Sequence, residues 1–134
     1  MSKPLNDLIQ QRMRRARQAF RVGKESLRLK AFEDAINRFY YAAFYAAKAV
    51  LATKELDSSK HKGVITLFHL HFVKEGLIDS ETAKALAASF EERLDTDYGD
   101  YTVIDAKRAG IIRDYVEKFI KSCSFYLKKY TSRH

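Results

Sequence analysis

The chain has 134 residues, 46% hydrophobic and 31% charged, which suits one globular domain over residues 1–134 and excludes a low-complexity or disordered polymer. Its only cysteine, Cys123, excludes an intramolecular disulfide, and a reducing, cytoplasmic setting is the simplest expectation. The net charge of +8 is uneven: Arg12 to Lys30 holds eight basic residues against one acid, Glu25, a field that attracts polyanions or an acidic partner. The N-terminal stretch has no hydrophobic signal core. The longest apolar run, Phe39 to Val50, is interrupted by Lys48 and falls short of the ~20 residues a membrane span needs.

One proline and five glycines leave few breaks, so the expectation is an all-α, up-and-down bundle of about five helices, four long and one shorter. The first helix opens at Pro4 behind Ser2 and ends near Arg28 to Lys30. Its apolar positions are Leu5, Ile9, Met13, Ala16, Phe20 and Leu27, with Gly23 where another apolar residue is expected. Arg14, Arg17, Arg21, Lys24 and Arg28, spaced by three and four, form a basic face on the opposite side.

The second helix, about Ala31 to Lys54, is apolar on most of its circumference and therefore lies among the others. Phe32, Ile36, Phe39, Ala43, Ala46 and Val50 form one stripe, and Tyr40, Phe44, Ala47 and Leu51 the next. A third helix runs from about His61 to Lys74 with Val64, Ile65, Phe68 and Phe72 inward, and Gly76 ends it. Asp79 or Ser80 caps the fourth, whose core face is Ala83, Leu86, Ala87, Phe90 and Leu94. After a break at residues 97–101, Thr102 and Asp105 make a capping box for the fifth. Its stripe is Ile112, Tyr115, Phe119, Cys123, Tyr126 and Tyr130, flanked by Val116, Ile120 and Leu127.

No metal or other cofactor is expected. His69 and His71 are two apart on a helix and point to different sides, and His61 lies two turns from His69. Cys123 on an apolar stripe reads as an inert thiol. Two polar pairs stand close to apolar faces: Arg93 with Asp97, and Arg38 with Asp34, each one turn apart. Either pair can be a plain ion pair, or it can hold an Arg at a cleft, where the planar guanidinium suits phosphate.

The run Asp34 to Ala49 (DAINRFYYAAFYAAKA) resembles the second helix of small prokaryotic proteins of the HEPN (higher eukaryotes and prokaryotes nucleotide-binding) domain family. Residues 60–64 (KHKGV), 72–77 (FVKEGL) and 93–98 (RLDTDY) resemble the segments that follow, in the same order, the last matching an Arg-x-x-x-Asp-Tyr element. The resemblance implies a helical bundle that dimerises, gathers polar residues of two protomers in one cleft, and binds RNA or nucleotide. It also implies a small nucleotidyltransferase as partner in a toxin–antitoxin-like pair.

Ribonuclease members carry an Arg, then four to six arbitrary residues, then a His. Arg93 matches the Arg, but Tyr98, Gly99 and Asp100 stand where the His would fall. Without that imidazole, metal-independent cleavage lacks a group that titrates near neutrality. The expected role is therefore RNA or nucleotide binding by Arg93, Asp97, Tyr98, Arg38, Asp34, Tyr41, Tyr45 and His61, aided by the basic first helix. One alternative is a ribonuclease using Arg93 with His61. Another is a scaffold whose basic helix meets an acidic protein. Tyr98 or Tyr101 could be a nucleotidylation target, as the resemblance suggests, or a turn aromatic packed on the bundle.

Overall fold

A computed structural model describes residues 2–99 and 103–133, leaving out the side chains of Tyr98 and Arg133. The described residues form helices α1 (Lys3–Arg28), α2 (Phe32–Ala52), α3 (His61–Phe68), α4 (Ser80–Tyr98) and α5 (Ala106–Arg133), with a π turn at His69–Val73. Four long helices and one short one make the expected bundle, and there is no strand among the described residues.

Local chemistry sets the helix limits. The Ser2 hydroxyl accepts from Leu5 N at the start of α1, and the Asp79 carboxylate accepts from Thr82 N at the start of α4. At α5 the Asp105 carboxylate accepts from Arg108 N, so Asp105 itself is the cap, and Thr102 lies outside the described residues. Helix α1 ends where Ala31 N donates to Ser26 O and Lys30 N to Leu27 O, with Lys30 at φ 64°. Gly76, at φ 75°, supplies the left-handed residue that ends the third helical segment.

The expectation of α-helix to Lys74 is corrected at His69. Lys74 N donates to His69 O, an i→i+5 bond, and the wider turn keeps Phe72 buried and stacked 5.6 Å from Phe68.

Helix α2 is the axis of the molecule and packs against α1, α5, α4 and α3. Seven of its alanines are buried, and so are Phe39, Tyr40, Val50 and Leu51. Alanine lets neighbouring backbones approach closely, and the closest approach is at Gly23. A Cβ there would lie 2.6 Å from a ring carbon of fully buried Phe39. Gly23 interrupts the apolar series of α1 because the Phe39 ring occupies its place.

Two stripes differ from expectation. On α4 the buried residues are Ala85, Leu86 and Ser89, while Ala87 is exposed. Ser89 can be buried because its hydroxyl donates to Leu86 O. On α5 Tyr115 is exposed, and the covered line runs through Ile112, Val116, Phe119, Cys123 and Leu127. Burial pushes the Cys123 thiol above its ordinary pKa, so it is inert. Among the described residues no helix is long and apolar enough to cross a membrane.

Replacing Gly23 with Ala improves helix propensity by about 1 kcal/mol. Overpacking against an immobile ring costs about 1–3 kcal/mol. The expected result is a lower urea midpoint at unchanged m-value. An equal or higher midpoint would mean that the α1–α2 crossing has slack.

Candidate functional site

Because the buried line of α4 passes through Leu86 and Ser89, Arg93 falls on that line rather than at its edge. Its side chain is 19% exposed and lies over α2, with the guanidinium carbon 5.5 Å from the Tyr40 ring centroid and 5.4 Å from that of Tyr41. Both are cation–π distances. Asp97 is its ion-pair partner, but at 3.6 Å the contact is too long for a hydrogen bond. Arg93 Nε is buried and has no partner among the described residues. A guanidinium has five N–H donors, and these are left almost wholly unused.

Arg38, on α2, reaches the same place. Its guanidinium carbon lies 5.3 Å from the Tyr41 centroid, and one nitrogen donates to Asn37 Oδ1 at 2.9 Å. The expected pair with Asp34 does not form. Asp34 sits exposed in the first turn of α2, where its charge complements the helix N-terminus. Two guanidinium groups thus share one tyrosine ring.

His61 opens α3, and the fold carries it across to α2 and α4. Its ring stacks on Phe90 (5.9 Å, 26°) and packs against Tyr40, Tyr41 and Phe44. Tyr40 is fully buried and its hydroxyl lies 2.6 Å from His61 Nδ1. Burial raises the Tyr40 pKa well above its ordinary value, a shift that Arg93 opposes only partly. The phenol therefore keeps its proton. With no other acceptor in contact among the described residues, it donates to Nδ1, which leaves the imidazole proton on Nε2.

Burial first, then the charges of Arg93 and Lys48, lower the His61 pKa below 6.5. The folded chain then binds that proton more weakly than the unfolded chain. The contribution of His61 to stability is full above the unfolded value and is lost as pH falls through the folded one.

Sequence reasoning missed Tyr40, Phe44 and Phe90 as the floor of this site. The readable signal was a hydroxyl-bearing Tyr within an apolar stripe, which needs a buried partner. It also missed Arg108, which donates to Glu92 at 2.8 Å and Asp95 at 3.1 Å and reaches Val103 O. Arg108 ties α5 to α4 and engages the acids beside Arg93. Tyr41 and Tyr45 are partly exposed on α2 near the cluster, with ring centroids 6.3 Å apart. The Tyr98 side chain and all of Tyr101 lie outside the described residues.

The basic face of α1 is not part of this surface. Arg14, Arg17 and Arg21 are exposed without acid partners among the described residues, and Arg17 lines a groove with Leu127 and Lys128 of α5. Lys24 lies over the Phe20 ring, and Arg28 is paired with Glu25. Arg12 and Arg15 project from the other flank, about 150° around the helix at 100° per residue. There Arg12 donates to Lys48 O and Asp57, and Arg15 lies over Tyr45. Among the described residues no three His, Cys, Asp or Glu side chains gather to hold a metal.

Comparison with known proteins gives the same family as the sequence motifs. A protein of Thermotoga maritima named "UPF0332 protein" is 36% identical over 105 residues, covering 78% of this chain and 77% of its own length. A Methanocaldococcus jannaschii protein named "Putative toxin MJ0605" is 33% identical over 129 residues, 96% of each chain. A second from that organism, "Putative toxin MJ0142", is 30% identical over 96 residues, 72% of this chain and 65% of its own length. The HEPN domain profile matches residues 9–128, and the chain belongs to the HEPN family.

Proposed function

We propose that the chain is an RNA-binding HEPN module of the toxin type, which takes a phosphate group between Arg93, Arg38 and His61 Nε2–H. The observation that carries this reading is the Arg93 guanidinium. It is four-fifths buried on two tyrosine rings, its Nε has no partner, and its acid stands off at 3.6 Å. A planar cation held in this way and left with free donors suits phosphate. The toxin part of the reading comes from the names of the Methanocaldococcus jannaschii relatives.

Family membership adds two partners to the proposal: a second copy of the chain and a small nucleotidyltransferase. Light scattering should give twice the 15.5 kDa chain mass. A nucleotidyltransferase encoded next to the gene should co-purify with the chain. A monomer at every concentration would remove the first partner, and a neighbouring nucleotidyltransferase that does not bind would remove the second.

Replacing Arg93 with Ala removes charge-assisted bonds of about 1.5–3 kcal/mol. RNA affinity should fall at least about tenfold, and the log–log salt slope should shrink by about one. Fluorescence anisotropy between 50 and 300 mM salt measures both, and an unchanged Kd would take Arg93 out of the site.

His61 discriminates two chemistries. A bound phosphate favours the imidazolium, so its pKa in the complex lies above that in the free protein, and binding takes up a proton between the two values. RNA affinity should therefore rise as pH falls from about 7.5 to 5.5, and His61→Gln should flatten that slope. A ribonuclease reading is favoured by one observation, the placement of His61 beside Arg93 on the Tyr40 ring. It requires the opposite tautomer, with Nε2 free to accept a proton. Chelator-resistant cleavage that disappears in His61→Ala supports the ribonuclease, whereas intact RNA with the pH slope supports binding alone.

A further inference from the structure

From Ala35 to Ala52 helix α2 is buried at every position except Asn37, Arg38, Tyr41, Tyr45 and Lys48. Arg38, Tyr41, Tyr45 and Lys48 are spaced by three, four and three, so they form one line, the uncovered seam of the central helix. An ordinary solvated seam carries short polar or charged residues. This one sets two aromatic rings between two cations, and cations from two other helices close on it. Arg93 of α4 and Arg38 lie against Tyr41, the Tyr41 and Tyr45 rings are 6.3 Å apart at 35°, and Arg15 of α1 lies 5.7 Å from the Tyr45 centroid. The order along the seam is cation, ring, ring, cation. Buried Phe44 braces both rings from below, at 6.3 Å from Tyr41 and 5.9 Å from Tyr45.

We infer that this seam is a stacking track for single-stranded RNA about two nucleotides long, leading away from the phosphate site. This rests on the RNA-binding reading and adds to it the strandedness, the length and the role of Arg15. Bases present π-faces to aromatic side chains only when they are out of a duplex, and such stacking tolerates any sequence. A duplex displays only its backbone and groove edges, which two rings lying between arginines cannot use. The track is short for a structural reason. Past Tyr45, Asp57 from the α2–α3 loop pairs with Lys48 and Arg12, each at 3.2 Å, and puts a carboxylate where the next phosphate would go. From Arg38 to Tyr45 the helix rises about 10 Å at 1.5 Å per residue, room for two stacked bases.

The test uses a labelled single-stranded 12-mer at fixed salt, with competition by the unlabelled strand, the same sequence as a blunt duplex, a trinucleotide and AMP. The wild-type chain should prefer the single strand over the duplex by at least tenfold, and the trinucleotide should compete far better than AMP. Tyr45→Leu keeps the apolar volume and removes the π-face, so it should weaken the single strand about tenfold. Tyr45→Phe should bind as wild type, and Arg15→Ala should lose a few-fold in affinity together with part of the salt slope. A 2-aminopurine probe in the strand should be quenched by wild type and not by Tyr45→Leu.

Equal competition by the duplex, or full affinity in Tyr45→Leu, overturns the track. The RNA-binding reading survives that result if Arg93→Ala still weakens binding. No binding of any RNA by wild type overturns the RNA-binding reading and the track with it. If Tyr45→Leu loses affinity because sedimentation shows that a dimer has fallen apart, the seam is covered by a second copy of the chain and the track is overturned.

Discussion

Helix α2 can be covered on nearly every side only because its buried alanines and one glycine on the facing helix let other backbones come close. That constraint determines the rest of the molecule. With Phe39 lodged against Gly23, the register of α1 on α2 is set, and Arg12 and Arg15 face the uncovered seam. With Tyr40 wholly enclosed, its hydroxyl must find a partner inside the bundle, and His61 is the partner it finds. A single buried polar atom on α2 thus fixes where α3 begins. The aromatic cluster around His61 places α4, whose Phe90 stacks on the imidazole and whose Arg93 then lies over the tyrosines.

The electrostatics of the site follow from the same enclosure. Arg38 and Arg93 are like charges on one ring, and Lys48 adds its field at His61; among the described residues Asp97 is the acid paired with Arg93, at 3.6 Å. Several other cations have closer partners: Arg12 and Lys48 have Asp57, Lys54 has Glu75, and Arg108 has Glu92 and Asp95. Arg108 matters for the balance. It engages two carboxylates of α4, Glu92 and Asp95, which stand one and two residues from Arg93 in the chain. Stability alone would favour closing the Arg93–Asp97 distance to a true hydrogen-bonded pair. Leaving it open costs something in the free protein and preserves donors for an anion.

Much of this fold is legible in the sequence because it is written in local chemistry. The Ser2 and Asp79 caps, the Gly76 stop and the stripe of α1 each depend on residues within a turn or two of one another. The α4 face was misread because Ser89 has a polar side chain yet bonds back to its own helix, so a hydroxyl occupies a core position and displaces the apolar count. The Asp34–Arg38 pair failed because an exposed one-turn ion pair is worth only about 0.3–0.5 kcal/mol, less than a ring and an amide can offer the same Arg. His61 meets Tyr40 across 21 residues and a loop, and no periodicity reports that contact. The density of arginines on α1 was plain in the sequence, but which flank meets α2 and which meets α5 depends on the crossing at Gly23.

The missing His after Arg93 gains a different meaning from this geometry. An imidazole is present beside the Arg, brought from the start of α3 rather than from the turn after α4. Its environment differs from that of a general base. The phenol below holds its Nδ1 lone pair, burial and then the neighbouring cations lower its pKa, and the remaining proton sits on Nε2. A neutral N–H donor near the Arg93 guanidinium is suited to hold a phosphate oxygen and poorly suited to take a proton from a ribose hydroxyl. Converting it to a neutral base needs the Tyr40 hydroxyl to turn away. That leaves a buried phenol proton without another acceptor in contact among the described residues, a cost that a bound phosphate offsets only when the ring becomes an imidazolium. The hydrogen bond that organises the bundle therefore also makes the proposed site better suited to holding a phosphate than to abstracting a proton.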